Sequence, residues 1–263
     1  LYGTASVDLF DIRSVKEVRL ENQYDWQATK LQKQMHATDW DRDVLKSAAT
    51  KVLGRGEKYH VLHPSWMYWA LEPFWNEDRG LSYLQSMTDY APIGRVKGAD
   101  LELPQHFVAM KWYSRATFPG HDERVRQTVA QVTGIVAAQT PVVLLSGHPD
   151  VDDHVDLDVQ HPNVIRLPKV APEQNLAQQI TALSRATAFV GTYGGMAQLA
   201  LRLGVPSCSL YHEWGGTAHA HLALSSAISK KTKVPFLTGN LDDLSMWRQV
   251  TSVTLPAKEL VTS

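Results

Sequence analysis

The stretch 188–211, AFVGTYGGMAQLALRLGVPSCSLY, decides the fold. It reads strand, tight turn, helix, strand. Phe189 and Val190 close a short apolar run, and Gly191, Gly194 and Gly195 supply the backbone freedom that a sharp strand-to-helix turn needs. Helix formers follow over 196–203, with Leu199 and Leu203 as an i,i+4 pair on one face. Gly204 stands where a helix stops, and Val205 and Pro206 open a second apolar run. A glycine turn that opens a helix leaves unpaired N–H groups and the positive end of the helix dipole facing outward, which suits a phosphate. The spacing is neither G-x-G-x-x-G nor a Walker loop, so a purely structural turn is the competing reading.

Outward from this stretch the chain becomes regular from Gln105 onward. HFVAMKWYS (106–114) reads as a strand. Residues 122–138 read as an amphipathic helix with Val125, Val129, Val132, Ile135 and Val136 on one side. PVVLLS (141–146) is a nearly continuous apolar strand of the kind buried on both faces of a parallel sheet. NVIRLP (163–168) is another strand, and 173–185 a helix carrying Leu176, Ile180 and Leu183. After the central stretch come a helix over HLALSSAI (221–228), a short strand VPFLT (234–238) and a closing helix over 241–250. Strands alternating with helices of this length predict βαβ units and a doubly wound parallel sheet.

The first hundred residues are less legible. VDLFDI and EVRLE are short strand candidates near the start. Residues 39–53 and 81–90 read as helices, and YHVL (59–62) as a strand. HPSWMYWALEPFW (63–75) concentrates aromatics that form either a core wedge or a cleft wall, the core being the commoner use. Residues 91–104 carry two prolines and two glycines and read as the connection between two lobes, 1–103 and 104–263.

Composition bounds the rest. A chain of 263 residues suits one large domain or two smaller ones, and 44% apolar residues are enough for a sizeable core. With 26 basic and 27 acidic residues the net charge is −1, which argues against a general nucleic-acid binder. Cys208 is the only cysteine, so no intrachain disulfide forms, and its apolar surroundings predict a buried, inert thiol. No apolar run reaches the roughly 20 residues of a membrane helix. No signal peptide is visible at the start. The expectation is a cytoplasmic protein, with peripheral membrane contact left open. The first residue is Leu1, so a fragment, a processed form and a missing beginning are all open.

In doubly wound sheets ligands bind beyond the carboxyl ends of the strands. Lys111, Arg115 and Thr117 follow the first strand of the second lobe, where two cations and a hydroxyl suit a diphosphate; a solvated surface pair is the alternative. Asp150, Asp152, Asp153, His154, Asp156 and Asp158 crowd one loop, without EF-hand spacing, and read as a solvated acidic loop rather than a metal site. His219 and His221 form an H-x-H pair with no third ligand in view, so no metal is expected. His212, Glu213 and Trp214 follow PSCSLY. Glu213 could accept hydrogen bonds from sugar hydroxyls, and Trp214 or Tyr193 could stack on a ring; each could equally be a rim residue. No G-x-S-x-G elbow or kinase signature is present.

YGGMAQLALRLGVPSCSLY resembles the donor-binding turn and helix of GT-B glycosyltransferases, most closely the bacterial heptosyltransferase branch. The matching residues are Gly194, Gly195, Leu199, Ala200, Leu203, Gly204, Val205 and Pro206, while Gln198 stands where that family often has His. The resemblance implies two Rossmann-like lobes: 1–103 on the acceptor side, short for that role, and 104–263 binding a nucleotide-sugar. It implies that Lys111, Arg115, Thr192, Tyr193, Gly194, Gly195, Gln198 and Glu213 surround the donor diphosphate and nucleotide. His63 is then the candidate base of the first lobe. No cofactor or metal is implied, the nucleotide-sugar being substrate. The expected activity is sugar transfer to the hydroxyl of a glycan or lipid-linked acceptor, as in polysaccharide biosynthesis. A nucleotide-sugar epimerase, with His212 and Glu213 as suspects, and a non-catalytic nucleotide- or sugar-binding module are the alternatives.

Overall fold

The computed structural model describes residues 43, 46, 50, 73–74, 79–87, 92–93, 100–114, 118–146, 155–212 and 217–243. The chain divides into two compact units, Leu1–Asp89 and Tyr90–Ser263. In the first, helix α1 spans Leu81–Met87, and Phe74 and Leu84 are buried. The predicted strand 59–62, most of the aromatic stretch 63–75, and His63 lie outside the described residues, as does most of the predicted helix 39–53.

The second unit alternates strands and helices as its periodicity predicts. Its elements run β1 (Val108–Lys111), β2 (Tyr113–Ser114), α2 (Glu123–Ala137), β3 (Val142–Leu144), β4 (Val155–Asp156) and β5 (Val164–Arg166). Then come α3 (Pro172–Arg185), β6 (Ala188–Thr192), α4 (Gly195–Arg202), β7 (Ser207–Tyr211), α5 (Thr217–Thr232) and β8 (Phe236–Asn240). Six strands form one sheet in the order β5-β3-β1-β6-β7-β8, with every pairing parallel. Counting only these six along the chain, the order is 3-2-1-4-5-6, the Rossmann arrangement, and winding reverses between β1 and β6.

Side-chain alternation along the strands builds two cores. Val108, Met110, Val142, Leu144, Val190, Cys208 and Leu210 pack against Val125, Val129, Val132 and Val136 of α2. Phe107, Ala109, Val143, Leu145 and Phe189 pack on the other face against Ala182 and Leu183 of α3 and Ala197 and Ala200 of α4. Fully burying each such valine, leucine or phenylalanine is worth about 1.5–3 kcal/mol. Leu101 and Leu103 join this second core, and the Ile93 N–H donates to Arg202 O at 2.7 Å, so the proline- and glycine-rich segment belongs in part to the second unit.

Four sequence readings change. The predicted strand 106–114 breaks at Trp112: β2 leaves the main sheet and pairs antiparallel with β4, an element the sequence did not signal. Trp112 is the pivot, stacked on Phe118 and donating its indole N–H to Thr133 Oγ1 at 3.2 Å. Ile135 lies off the buried face of α2 and Leu176 is 58% exposed on α3, where Gln178 and Gln179 are buried instead. The helix expected over 221–228 begins at Thr217 and reaches Thr232. Only the start of the predicted closing helix, 241–243, is described, and it forms a turn. Among the described residues no helix is long and apolar enough to cross a membrane.

Candidate functional site

The reversal of winding puts the ends of β1 and β6 side by side, with Lys111 in register with Gly191. A Cβ on Gly191 would lie 2.3 Å from Lys111 O, so the two strands approach this closely only because the residue is glycine. Beyond Gly191 the chain turns through Thr192, Tyr193 and Gly194 into α4. Gly194 has φ +132° and ψ −153°, a region essentially restricted to glycine, and serves as N-cap without any side-chain cap. The first-turn amides of α4 therefore lack the usual Ser, Thr, Asp or Asn partner. Tyr193 and Gly194 are buried, and the turn opens to solvent at Gly195, where a Cβ would meet nothing within 4 Å.

The β2 strand braces this turn. The Tyr113 N–H donates to Thr192 Oγ1 at 3.3 Å, and the Tyr113 hydroxyl donates to the Tyr193 carbonyl. On the other side the Tyr193 ring lies 5.7 Å from that of His221, whose Nδ1 is 3.3 Å from Gln198 Nε2. Thr192, Tyr193, Gly194, Gly195, Gln198 and Lys111 are thus gathered at one end of the sheet.

Lys111 is not the solvent-facing cation that the sequence suggests. It alternates with Phe107 and Ala109, so its side chain runs beneath α3 and is only 5% exposed. Its Nζ donates to Gln179 Oε1 at 3.0 Å. Gln179 Nε2 donates to Asn175 Oδ1 at 2.5 Å, and Asn175 Nδ2 to Ser146 O at 3.2 Å. This relay fixes the Gln179 amide with its oxygen toward the ammonium. Sequence reading missed Gln179; two adjacent glutamines on the inward side of an otherwise apolar stripe were the available signal.

A second cluster lies at the same edge. His212 follows β7, and its Nδ1 is 3.2 Å from Asp242 Oδ2, just after β8. The contact is at ion-pair distance without hydrogen-bond alignment, and Nδ1 is buried. Arg124, in the first turn of α2, approaches Asp242 Oδ1 at 3.6 Å.

A cleft of about 60 Å³ lies at the carboxyl ends of β1 and β3, lined by Trp112, Ser146, Asp156 and Arg166 among others. It is too small for a nucleotide, since ligand pockets run to about 300–1,000 Å³. It does not include the glycine turn. Arg115, Thr117, Glu213, Trp214 and residues 150–154 lie outside the described residues. Among the described residues no group of three His, Cys, Asp or Glu gathers as a metal site. Cys208 is fully buried and desolvation pushes its thiol up to about 12, as its apolar context predicts. No family model and no curated protein matches the chain.

Proposed function

We propose that the second unit binds the donor of a glycosyltransferase, which moves a sugar from a nucleotide-diphosphate sugar to an acceptor hydroxyl of a glycan or glycolipid. The observation that carries this reading is the coincidence at the switch point. The uncapped start of α4, the glycine-only conformation of Gly194 and the buried charge of Lys111 all sit where β1 and β6 diverge. Open α/β sheets take nucleotides there, and a helix N-terminus favours a diphosphate. Lys111 acts as a fixed charge behind the turn, screened less than a surface cation would be. Departure of the nucleoside diphosphate leaves negative charge on its terminal phosphate, which the amides of α4 and the charge of Lys111 stabilise.

The test is a thermal-shift screen with UDP-, GDP-, ADP- and CMP-linked sugars. A ligand that binds only the folded protein raises Tm, by an amount corresponding to about 2.7 kcal/mol at a hundredfold excess over Kd. Lys111→Met lowers the response to the responding sugar. No shift with any of the four, or an unchanged response in Lys111→Met, overturns the reading. An epimerase would use the same donor site, with the His212–Asp242 pair as its acid–base group. Incubating the donor without acceptor and assaying for an isomer distinguishes the two.

A further inference from the structure

We propose that Gln179 is the positioning residue of Lys111 in donor binding: it holds the ammonium behind the glycine turn through an acceptor that carries no charge of its own. This rests on the donor-binding reading above. The placement follows from strand alternation. Lys111 shares its face of the sheet with Phe107 and Ala109, and the core on that face also holds Ala182 and Leu183 of α3 and Ala197 and Ala200 of α4. Lys111 and the start of α4 are therefore on one side of the sheet, with Lys111 in register with Gly191.

The relay behind Lys111 runs in one direction only. A backbone carbonyl only accepts and an ammonium only donates. Ser146 O, just beyond β3, takes Asn175 Nδ2–H at 3.2 Å, which turns Asn175 Oδ1 toward Gln179. That oxygen takes Gln179 Nε2–H, which leaves Gln179 Oε1 facing the ammonium at 3.0 Å. The orientation of the Gln179 amide is thus fixed from both ends. Its neighbour Gln178 donates from Nε2 to Pro168 O at 3.0 Å, just beyond β5. One stretch of α3 is so anchored to the ends of two strands, and it presents a fixed oxygen to Lys111. Stability does not account for this arrangement. Burying an ammonium costs free energy that its hydrogen bonds only partly offset, and apolar side chains of similar volume are often as stable in its place. A methionine at position 111 would continue the apolar row of Phe107 and Ala109 beneath α3. A carboxylate at position 179 would hold the ammonium but oppose its charge, whereas an amide holds it and leaves the charge as it is.

The experiment is a double-mutant cycle on the full chain. Kd is measured calorimetrically with UDP-, GDP- and ADP-glucose, and stability is read as the urea midpoint. In the wild-type background Gln179→Met weakens binding of the responding donor by about threefold to thirtyfold. It also lowers the urea midpoint, because the ammonium stays buried without this acceptor. In the Lys111→Met background the same substitution leaves Kd unchanged and no longer lowers the midpoint, since two apolar side chains now pack together. The double variant is therefore stable and binds weakly. If Gln179 served packing alone, recovered stability would bring recovered affinity. Asn175→Ala, at a half-buried position, releases the Gln179 amide and repeats the pattern at smaller size; it decides the question if Gln179→Met does not fold. Undiminished binding in Gln179→Met while Lys111→Met binds weakly, or an equal loss from Gln179→Met in both backgrounds, overturns this inference and leaves the donor-binding reading standing. Unchanged binding in Lys111→Met, or failure of all three donors to bind the wild type, overturns both.

Discussion

At the residue scale, two adjacent glycines that look alike in sequence differ in what they tolerate. A Cβ on Gly194 would lie 2.6 Å from the Tyr113 hydroxyl, and the backbone there has φ +132°. Gly194→Ala is expected to cost about 1–3 kcal/mol from the backbone alone, with the displaced Tyr113 adding to it. Gly195 has open space and a helical position, so Gly195→Ala leaves stability unchanged or slightly raised. Urea midpoints of the two variants check the contrast, and equal losses would refute it. Cys208 makes a second residue-scale prediction. Its folded pKa is raised from 9.0 to about 12 by burial, so the unfolded chain loses this proton first. The stability tied to the neutral thiol is fully present below pH 9.0 and is lost as pH rises toward about 12. Wild type minus Cys208→Ala isolates it: the difference in urea midpoint shrinks or reverses over that window. These residue environments were only partly legible beforehand. The run PSCSLY announced a buried thiol, because local apolarity carries that information. Nothing within a few residues of Gly194 announced Tyr113, which arrives from 81 positions earlier in the chain.

At the element scale, the helix ends show where local chemistry suffices. Asp122 caps α2, its carboxylate accepting from the Arg124 N–H at 2.8 Å, at the position where the predicted helix 122–138 begins. Asp122→Ala costs about 1 kcal/mol in urea unfolding. Helix α4 ends in a Schellman arrangement: the Val205 N–H donates to Ala200 O, the Gly204 N–H donates to Leu201 O, and Gly204 has φ +81°. Helix α5 ends less comfortably, with Lys233 at φ +59° just after Thr232. Left-handed backbone is unfavourable for residues with a Cβ, so Lys233→Gly is expected to raise stability by about 0.5–1 kcal/mol, read as a higher urea midpoint. The α3 face is where periodicity misled. Counting apolar residues favoured Leu176, yet Gln179 holds the inward position because a buried ammonium from β1 needs an acceptor there.

At the scale of the whole molecule, residues 90–263 carry both faces of a six-stranded sheet and two packed cores of their own. The fragment Tyr90–Ser263 is expected to unfold in a single cooperative urea transition, and a featureless gradual loss of far-UV signal would contradict this. What the sequence by itself determined was the alternation of main-sheet strands and helices in the second unit, the helix stop at Gly204 and the glycine turn, because each is written in residues within a turn or two of one another. Tertiary structure alone decided that β1 lies beside β6 rather than at an edge, that Lys111 points beneath α3, and that His212 meets Asp242 across the ends of β7 and β8. The physical reason is that strand order and side-chain facing are set by which apolar faces bury one another across the whole unit. Periodicity reports that a face exists, but not what it will rest against.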